Sequence, residues 1–285
     1  MSASNQAQIA YWNGPIGQLW ARAQEKRDRD HAAMTQATLE LAAPQPGESV
    51  LDIGCGTGTT TLKLAELVGE EGKVMGIDIS APMLAVARKR ARELETHARF
   101  IEADATDYGF EHQHFDLAFS QFGVMFFADP VAALANVHGA MKKGGRLVFV
   151  CWRASTENPW SAVPESAAKP LLPPMEPLPP DAPGRYAFAN PDRVKSILLR
   201  SGFHAPEIKK FDAKLHLGDT PEAAASSSID AGPLARTLAD VDAETRKKVR
   251  AAVIERLARE MGPGGVYLTA GCWLVSARAC VWYNT

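Results

Sequence analysis

The run Val50-Leu51-Asp52-Ile53-Gly54-Cys55-Gly56-Thr57-Gly58 carries the residues best suited to chemistry. An apolar stretch ends on an acid, three glycines follow at alternate positions, and Thr59 to Val68 reads as a helix. Glycine lets a backbone turn sharply and approach a ligand where a Cβ would clash. The following helix aims its first N–H groups at the same place. The pattern predicts a strand-loop-helix that holds a small molecule.

Glycine spacing narrows the ligand. A dinucleotide fingerprint, G-x-G-x-x-G, would want glycine at position 59, where threonine stands; the third glycine comes one residue early, at Gly58. A phosphate loop would need a Lys after the glycines in register, and none follows. A second strand, Lys73 to Asp78, closes on an acid 26 residues after Asp52. An acid at that strand end suits the two hydroxyls of a ribose.

These motifs resemble the class I S-adenosylmethionine (SAM)-dependent methyltransferases. The similarity lies in L-D-I-G-C-G-T-G and in G-I-D-I-S-A-P-M-L, and is nearest to the small-molecule branch that includes ubiquinone/menaquinone-type enzymes. Ile101 to Ala105 matches the family's third strand end, Phe115 to Ser120 its fourth strand, and Leu134 to Trp152 the helix, turn and strand that follow. The likeness is close over about residues 45–155 and loose elsewhere. It implies SAM as cofactor, S-adenosylhomocysteine as product and a small-molecule methyl acceptor as partner. By motif, Asp52 and the segment Gly54, Cys55, Gly56 and Gly58 would hold the methionine part. Asp78 would take the ribose, Ile79 and Met83 would sandwich the adenine, and Asp104 with Ala105 would meet its edge. Ser120 would offer its backbone carbonyl to the ligand amine.

The elements around these residues are legible on their own. Strands near 48–53, 73–78, 98–103, 115–120 and 146–152 alternate with helices, which predicts a parallel sheet covered on both faces. Ligands in such sheets bind outside the carboxyl ends of the strands, where the acids and glycines fall. Ser80 reads as an N-cap with Pro82 in the first turn, and Asp129-Pro130 as a cap followed by proline at N1. Gly144-Gly145 reads as the close of that second helix, behind Lys142-Lys143. Arg88, Lys89, Arg90 and Arg92 read as a solvated helix face. The expected fold is α/β, Rossmann-like and doubly wound. By resemblance it is a mostly parallel seven-stranded sheet whose antiparallel last strand lies between strands five and six.

Four segments are expected: a helical lid over 1–40, the SAM-binding core over 41–157, a proline-rich lid loop over 158–190, and a C-terminal completion over 191–285. Tyr11, Trp12 and Trp20 could line an acceptor pocket or simply staple a helix to the domain surface. Nine of the chain's 19 prolines lie between Pro159 and Pro183, predicting an extended, semi-rigid loop. Farther on, Asn190 and Asp242 read as caps, 208–217 and 266–277 as strands, and about 221–261 as a helical addition.

Composition bounds the rest. With 285 residues there is ample core, and a net charge of −2 without basic runs argues against a nucleic-acid partner. Four cysteines without metal spacing fit a reduced, cytoplasmic setting, and no apolar run approaches the roughly 20 residues of a membrane span. No feature sets an oligomeric state.

A sulfonium methyl is already activated, so transfer needs chiefly a positioned nucleophile and a dry site. No dedicated acid or base has to appear. The seven histidines offer no candidate by position; His138 reads as lying on the polar side of its helix. Gln121, Phe122 and Met125, just beyond strand four, are expected to line the acceptor site, with plain core roles for Phe122 and Met125 as the alternative. Three further readings stay open: an enzyme using the same cofactor without methylating, a non-catalytic SAM-binding or scaffold protein, and a nicotinamide oxidoreductase.

Overall fold

A computed structural model describes residues 3–173, 179, 181–230, 232, 234, 235, 237, 238 and 241–279. Part of the proline-rich stretch, Cys280 and the last five residues lie outside them. Four helices come first: α1 (Ala3–Asn13), α2 (Pro15–Arg22), α3 (Gln24–Asp30) and α4 (Ala32–Ala42). The alternating core follows: β1 (Ser49–Ile53), α5 (Thr59–Val68), β2 (Lys73–Asp78), α6 (Ala81–Glu93), β3 (Arg99–Glu102), β4 (Phe115–Gln121), α7 (Pro130–Ala140) and β5 (Met141–Trp152). Then come α8 (Pro159–Ala168), α9 (Pro191–Arg200), β6 (Phe203–Gly218), α10 (Pro221–Asp230), α11 (Ala243–Ala258), β7 (Met261–Gly262) and β8 (Gly265–Ala279).

The strands lie in the order β3-β2-β1-β4-β5-β8-β6, with the two-residue β7 paired to β8 as an eighth strand. β1 to β5 run parallel, and β8 is antiparallel to both β5 and β6. The order reverses between β1 and β4, so the carboxyl ends of those two strands flank a switch point where ligands bind in such sheets. Every residue of β1 is buried, as a strand covered on both faces must be.

Several local expectations need correction. α4 is a layer of the core, with Met34, Leu39 and Ala42 buried against the sheet, so only α1 to α3 lie outside it. Lys142 to Gly145 do not close a helix. α7 stops at Ala140, and those four residues bulge from β5 between the pairs Phe115–Met141 and Leu117–Arg146. Arg146 fixes that register by donating to the carbonyl of Ala42 at 2.7 Å and pairing with Glu48 at 2.7 Å.

The proline-rich stretch is not uniformly extended. Pro159 sits at the start of α8, where its missing N–H is harmless, and the helix continues through Pro164 to Ala168. α8 packs against α10 and α11, so the first part of the expected lid loop and the C-terminal addition form one helical layer beside the long antiparallel strand pair β6 and β8. His138 is buried, edge-on to Phe203 at 5.0 Å, rather than on a polar face.

Candidate active site

The glycine loop is shaped first by packing. Gly54 N–H and Cys55 N–H both donate to the carbonyl of Ile77, tying the loop to the end of β2. Gly54, Gly56 and Gly58 all have positive φ. A Cβ on Gly54 would stand 2.8 Å from the Cα of Gly123, and one on Gly58 would meet Ala87 at 2.9 Å. At Gly56 the nearest neighbour would be the Met83 sulfur at 3.7 Å, so this is the glycine whose missing side chain leaves room. Gly123 is absent from the residues singled out by sequence, although a glycine two residues beyond a strand end is a readable turn signal.

The acids are fixed around that loop. Asp78 Oδ2 accepts from Gly56 N–H at 2.8 Å and Oδ1 accepts from Ser80 N–H at 2.8 Å. Burial raises its pKa, against the pull of those N–H donors. Asp52 is fully buried beneath the loop; Oδ2 accepts from Thr60 and Thr61 at 2.6 Å each, and Oδ1 has no hydrogen-bond partner among the described residues. Burial pushes its pKa up to about 7 despite those two hydroxyls. Burial likewise raises the Cys55 thiol, which makes it a packing atom and not a nucleophile.

Asp104 lies past the end of β3, accepting from Asn5 Nδ2 at 2.7 Å and from Thr106 N–H at 2.8 Å. The carbonyl of Ala105 accepts from Asn136 at 2.9 Å. Ser120 uses its hydroxyl as a brace, donating to the carbonyl of Ile53 at 2.7 Å and accepting from Gly123 N–H at 3.2 Å. Ser80 begins α6 as expected but makes no side-chain cap; its hydroxyl donates to the carbonyl of Trp12 at 2.7 Å.

α1 to α3 close over this end of the sheet. Asn13 donates to the carbonyl of Ile79 at 2.8 Å and accepts from Ala81 N–H at 2.9 Å, capping α6 from outside. Trp12 is buried among Tyr11, Trp20 and Phe126, with ring centroids 5.2, 5.5 and 5.0 Å away. Arg90 is not merely a solvated charge. It donates to the carbonyl of Thr57 and to Thr59 Oγ1 at 2.9 Å each, and pairs with Asp28 of α3 at 2.9 Å. Arg90→Ala is therefore expected to speed amide hydrogen exchange across α2 and α3 while leaving α9 unchanged. The network is half-buried, so the local cost is about 1–2 kcal/mol.

Beyond β4, Gln121 has a buried Oε1 without a hydrogen-bond partner among the described residues. Phe122 holds φ at 60°, a conformation a bulky residue adopts only under constraint from its surroundings. Its ring stacks on Trp152 at 4.2 Å, and His31 approaches both rings. Met125 is fully buried and its carbonyl accepts from Gly184 N–H at 3.1 Å, so its side chain belongs to the core. Position and local sequence do not mark His31, because Phe122 and Trp152 reach it from distant parts of the chain.

A doubly wound sheet with a glycine loop and two strand-end acids at one covered end defines a nucleoside-binding protein. A methyltransferase-domain family model matches residues 50–145. The demethylmenaquinone methyltransferase of Thermus thermophilus is 31% identical over 193 residues, 64% of this chain and 87% of that protein. The aklanonic acid methyltransferase of a Streptomyces species is 37% identical over 151 residues, 52% of this chain and 64% of that protein's length. The fold is shared with phosphoethanolamine N-methyltransferase 2 of Haemonchus contortus, solved with S-adenosyl-L-methionine, at a TM-score of 0.55 and 19% identity over 87% of this chain and 53% of that one. The chain belongs to the class I SAM-dependent methyltransferases. Membership leaves the nicotinamide alternative without support.

Proposed function

We propose that this protein transfers a methyl group from SAM to an O, N, S or C nucleophile of a small metabolite seated between the cap helices and the ends of β4 and β5. The observation that carries this reading is the Asp78 carboxylate, held across the glycine loop by Gly56 and Ser80. The residues present suit the cofactor. Asp52 offers an orphaned buried oxygen, Gly56 an open backbone face above Met83, and Asp104 a second strand-end acid.

On this assignment Asp52 and Gly54 to Gly58 hold the methionine part and Asp78 the ribose hydroxyls. Ile79 and Met83 flank the adenine, Asp104 and Ala105 meet its edge, and the Ser120 carbonyl takes the ligand amine. When bound, SAM supplies a methyl group already activated on a sulfonium sulfur. The chain's own residues then have two tasks, to align the nucleophile and to exclude water. Tyr11, Trp12 and Trp20 close the roof, while Gln121 and Phe122 stand where β4 ends. The names of the two relatives, aklanonic acid and demethylmenaquinone methyltransferases, support a small-molecule acceptor. The buried free thiols of Cys55, Cys151 and Cys272 suit a reducing, cytoplasmic compartment.

Asp78→Ala is expected to weaken SAM binding about 10- to 100-fold while the fold persists, since hydrogen bonds to a charged group contribute about 1.5–3 kcal/mol. Asp78→Asn, which keeps one acceptor oxygen, should lose less. Calorimetric titration measures both, and unchanged affinity in the alanine variant would sink the ribose assignment. Incubation with methyl-labelled SAM tests the transfer itself. Label must move into an acceptor while S-adenosylhomocysteine accumulates; cofactor left intact by an active enzyme would instead indicate non-methylating use.

A further inference from the structure

His31 stands where the cap helices meet the ends of two central strands. It closes α3 and opens α4, and its carbonyl accepts from Thr35 N–H at 2.9 Å and from Thr35 Oγ1 at 3.1 Å. The centroid of its ring lies 5.4 Å from that of Phe122, just beyond β4, and 6.2 Å from that of Trp152, the last residue of β5. Its nitrogens make no hydrogen bond among the described residues. The same helix is pinned to the glycine loop. Asp28 accepts from Thr59 Oγ1 and pairs with Arg90, which also donates to the carbonyl of Thr57. Residues three apart on a helix share a face, with about 5–6 Å between their Cβ atoms, so His31 lies one such step from the start of α5. From the other side Gly123, next to Phe122, closes on Gly54. The imidazole is thereby held between the glycine loop and the ends of β4 and β5, where the acceptor is seated in the reading above.

The surroundings decide what this ring can do. Burial, with the charges of Arg27 and Lys26 on its own helix, lowers its pKa to about 3. Lys26 is itself paired with Asp30 at 2.6 Å, and the rings that β4 and β5 bring up carry no charge. The imidazole is therefore neutral near pH 7, with one nitrogen able to accept a hydrogen bond. Such a weak base cannot strip a resting hydroxyl. It can take the proton late, because an oxygen that is bonding a methyl group becomes far more acidic than an imidazolium. The same step moves one positive charge from the sulfonium to the ring, so the two charges never stand side by side. The wall beside it is flat and apolar, with Phe122 and Trp152 stacked 9° apart and Trp160 leaning on Trp152 at 4.9 Å.

We propose that His31 takes the proton of a ring hydroxyl, a phenol or an enol, as that oxygen is methylated, with the acceptor's ring lying along Phe122, Trp152 and Trp160. This rests on the methyl-transfer reading above and names its substrate class. The hydroxyl oxygen bonds the methyl carbon with its own electron pair, leaves the carbon–sulfur pair on sulfur, and gives its proton to the imidazole, from which it passes to water. Before the step, the hydrogen bond to His31 aims an oxygen lone pair. The methylated product has no proton to donate, so that bond is lost as product forms.

The test uses the full chain, with binding of S-adenosylhomocysteine first established by calorimetry for the parent, His31→Phe and His31→Gln. Calorimetric titration of each saturated protein then compares 2-naphthol with 2-methoxynaphthalene, its methylated product. The parent is expected to bind the naphthol about 3- to 10-fold more tightly, a preference lost in His31→Phe and kept in His31→Gln, whose amide oxygen still accepts. Turnover with methyl-labelled SAM compares 2-naphthol with 2-naphthalenethiol. An aromatic thiol ionises by itself at about pH 8, whereas a naphthol keeps its proton. Both variants should lose about 100-fold or more in kcat for the naphthol, stay within about threefold for the thiol, and recover naphthol turnover as pH rises toward the naphthol's own ionisation. Naphthol turnover within about threefold of the parent in both variants overturns the proposal, as do equal losses for the two probes. A parent that methylates only the thiol, or neither probe, overturns it too, while cofactor binding stands. Failure of the parent to bind S-adenosylhomocysteine would instead remove the methyl-transfer reading, and this one with it.

Discussion

Gly123→Ala is expected to destabilise the protein by about 3 kcal/mol or more, the range for overpacking that backbone cannot relieve. An added Cβ would lie 2.6 Å from the carbonyl oxygen of Ile53 and 2.9 Å from both the Gly54 Cα and Ser120 Oγ. None of these can swing aside as a long side chain could. The ends of β1 and β4 would have to separate, breaking the Ser120 brace to Ile53. Denaturant titration should show a lower midpoint with an unchanged slope, and a stability within about 0.5 kcal/mol of the parent would refute the close approach. Gly47→Ala is a useful control, because nothing lies within 4 Å of its would-be Cβ and only its positive φ resists the change.

Asp52→Asn should stabilise the cofactor-free protein at pH 8, and the gain should vanish near pH 4. The sign follows from the protons. Burial raises Asp52 to about 7 in the folded state, against an ordinary value of 3.8. Between those values the folded protein keeps a proton that the unfolded chain has released, so stability falls as pH rises through the window. That gap corresponds to about 4 kcal/mol at most, less whatever the asparagine amide loses by lacking a partner. Thr60 and Thr61 can still donate to the amide oxygen. Melts of both proteins from pH 4 to 8 measure the effect, and parallel profiles would show that Asp52 is not the group titrating. On the proposed assignment the same variant binds SAM more weakly, because a sulfonium and an ammonium favour an anion beneath the loop. Stability would then be traded against function at a single oxygen.

How much of this is legible in the chain depends on the range of the signal. The strand-loop-helix at 50–68, the acids at 78 and 104 and the cap residues Asp129, Asn190 and Asp242 are local patterns. Each stands where its neighbours predict, with Asp129, Asn190 and Asp242 all accepting from helix N–H groups. The antiparallel strand between β5 and β6 follows only from the family likeness. What escapes is long-range. Arg90 looks like one cation among four until Asp28, 62 residues earlier, comes to face it. His31 has no local cue either, since Phe122 and Trp152 reach it from distant parts of the chain. α8 is hidden because proline reads as a breaker throughout, although a helix's first position tolerates proline and the layer of α10 and α11 supports the rest.

The amide of Asn5 on the Asp104 carboxylate has a last implication. On the proposed assignment that carboxylate is the partner of an exocyclic amine, and an Asn side-chain amide is also a planar NH2 donor. The first helix thus carries an internal mimic of the nucleobase. Cofactor arrival becomes a substitution of one donor for another, nearly neutral at that bond. Discrimination is thereby shifted toward the ribose and the sulfonium end, while Trp12 and Asn13 keep the helix fastened at the start of α6.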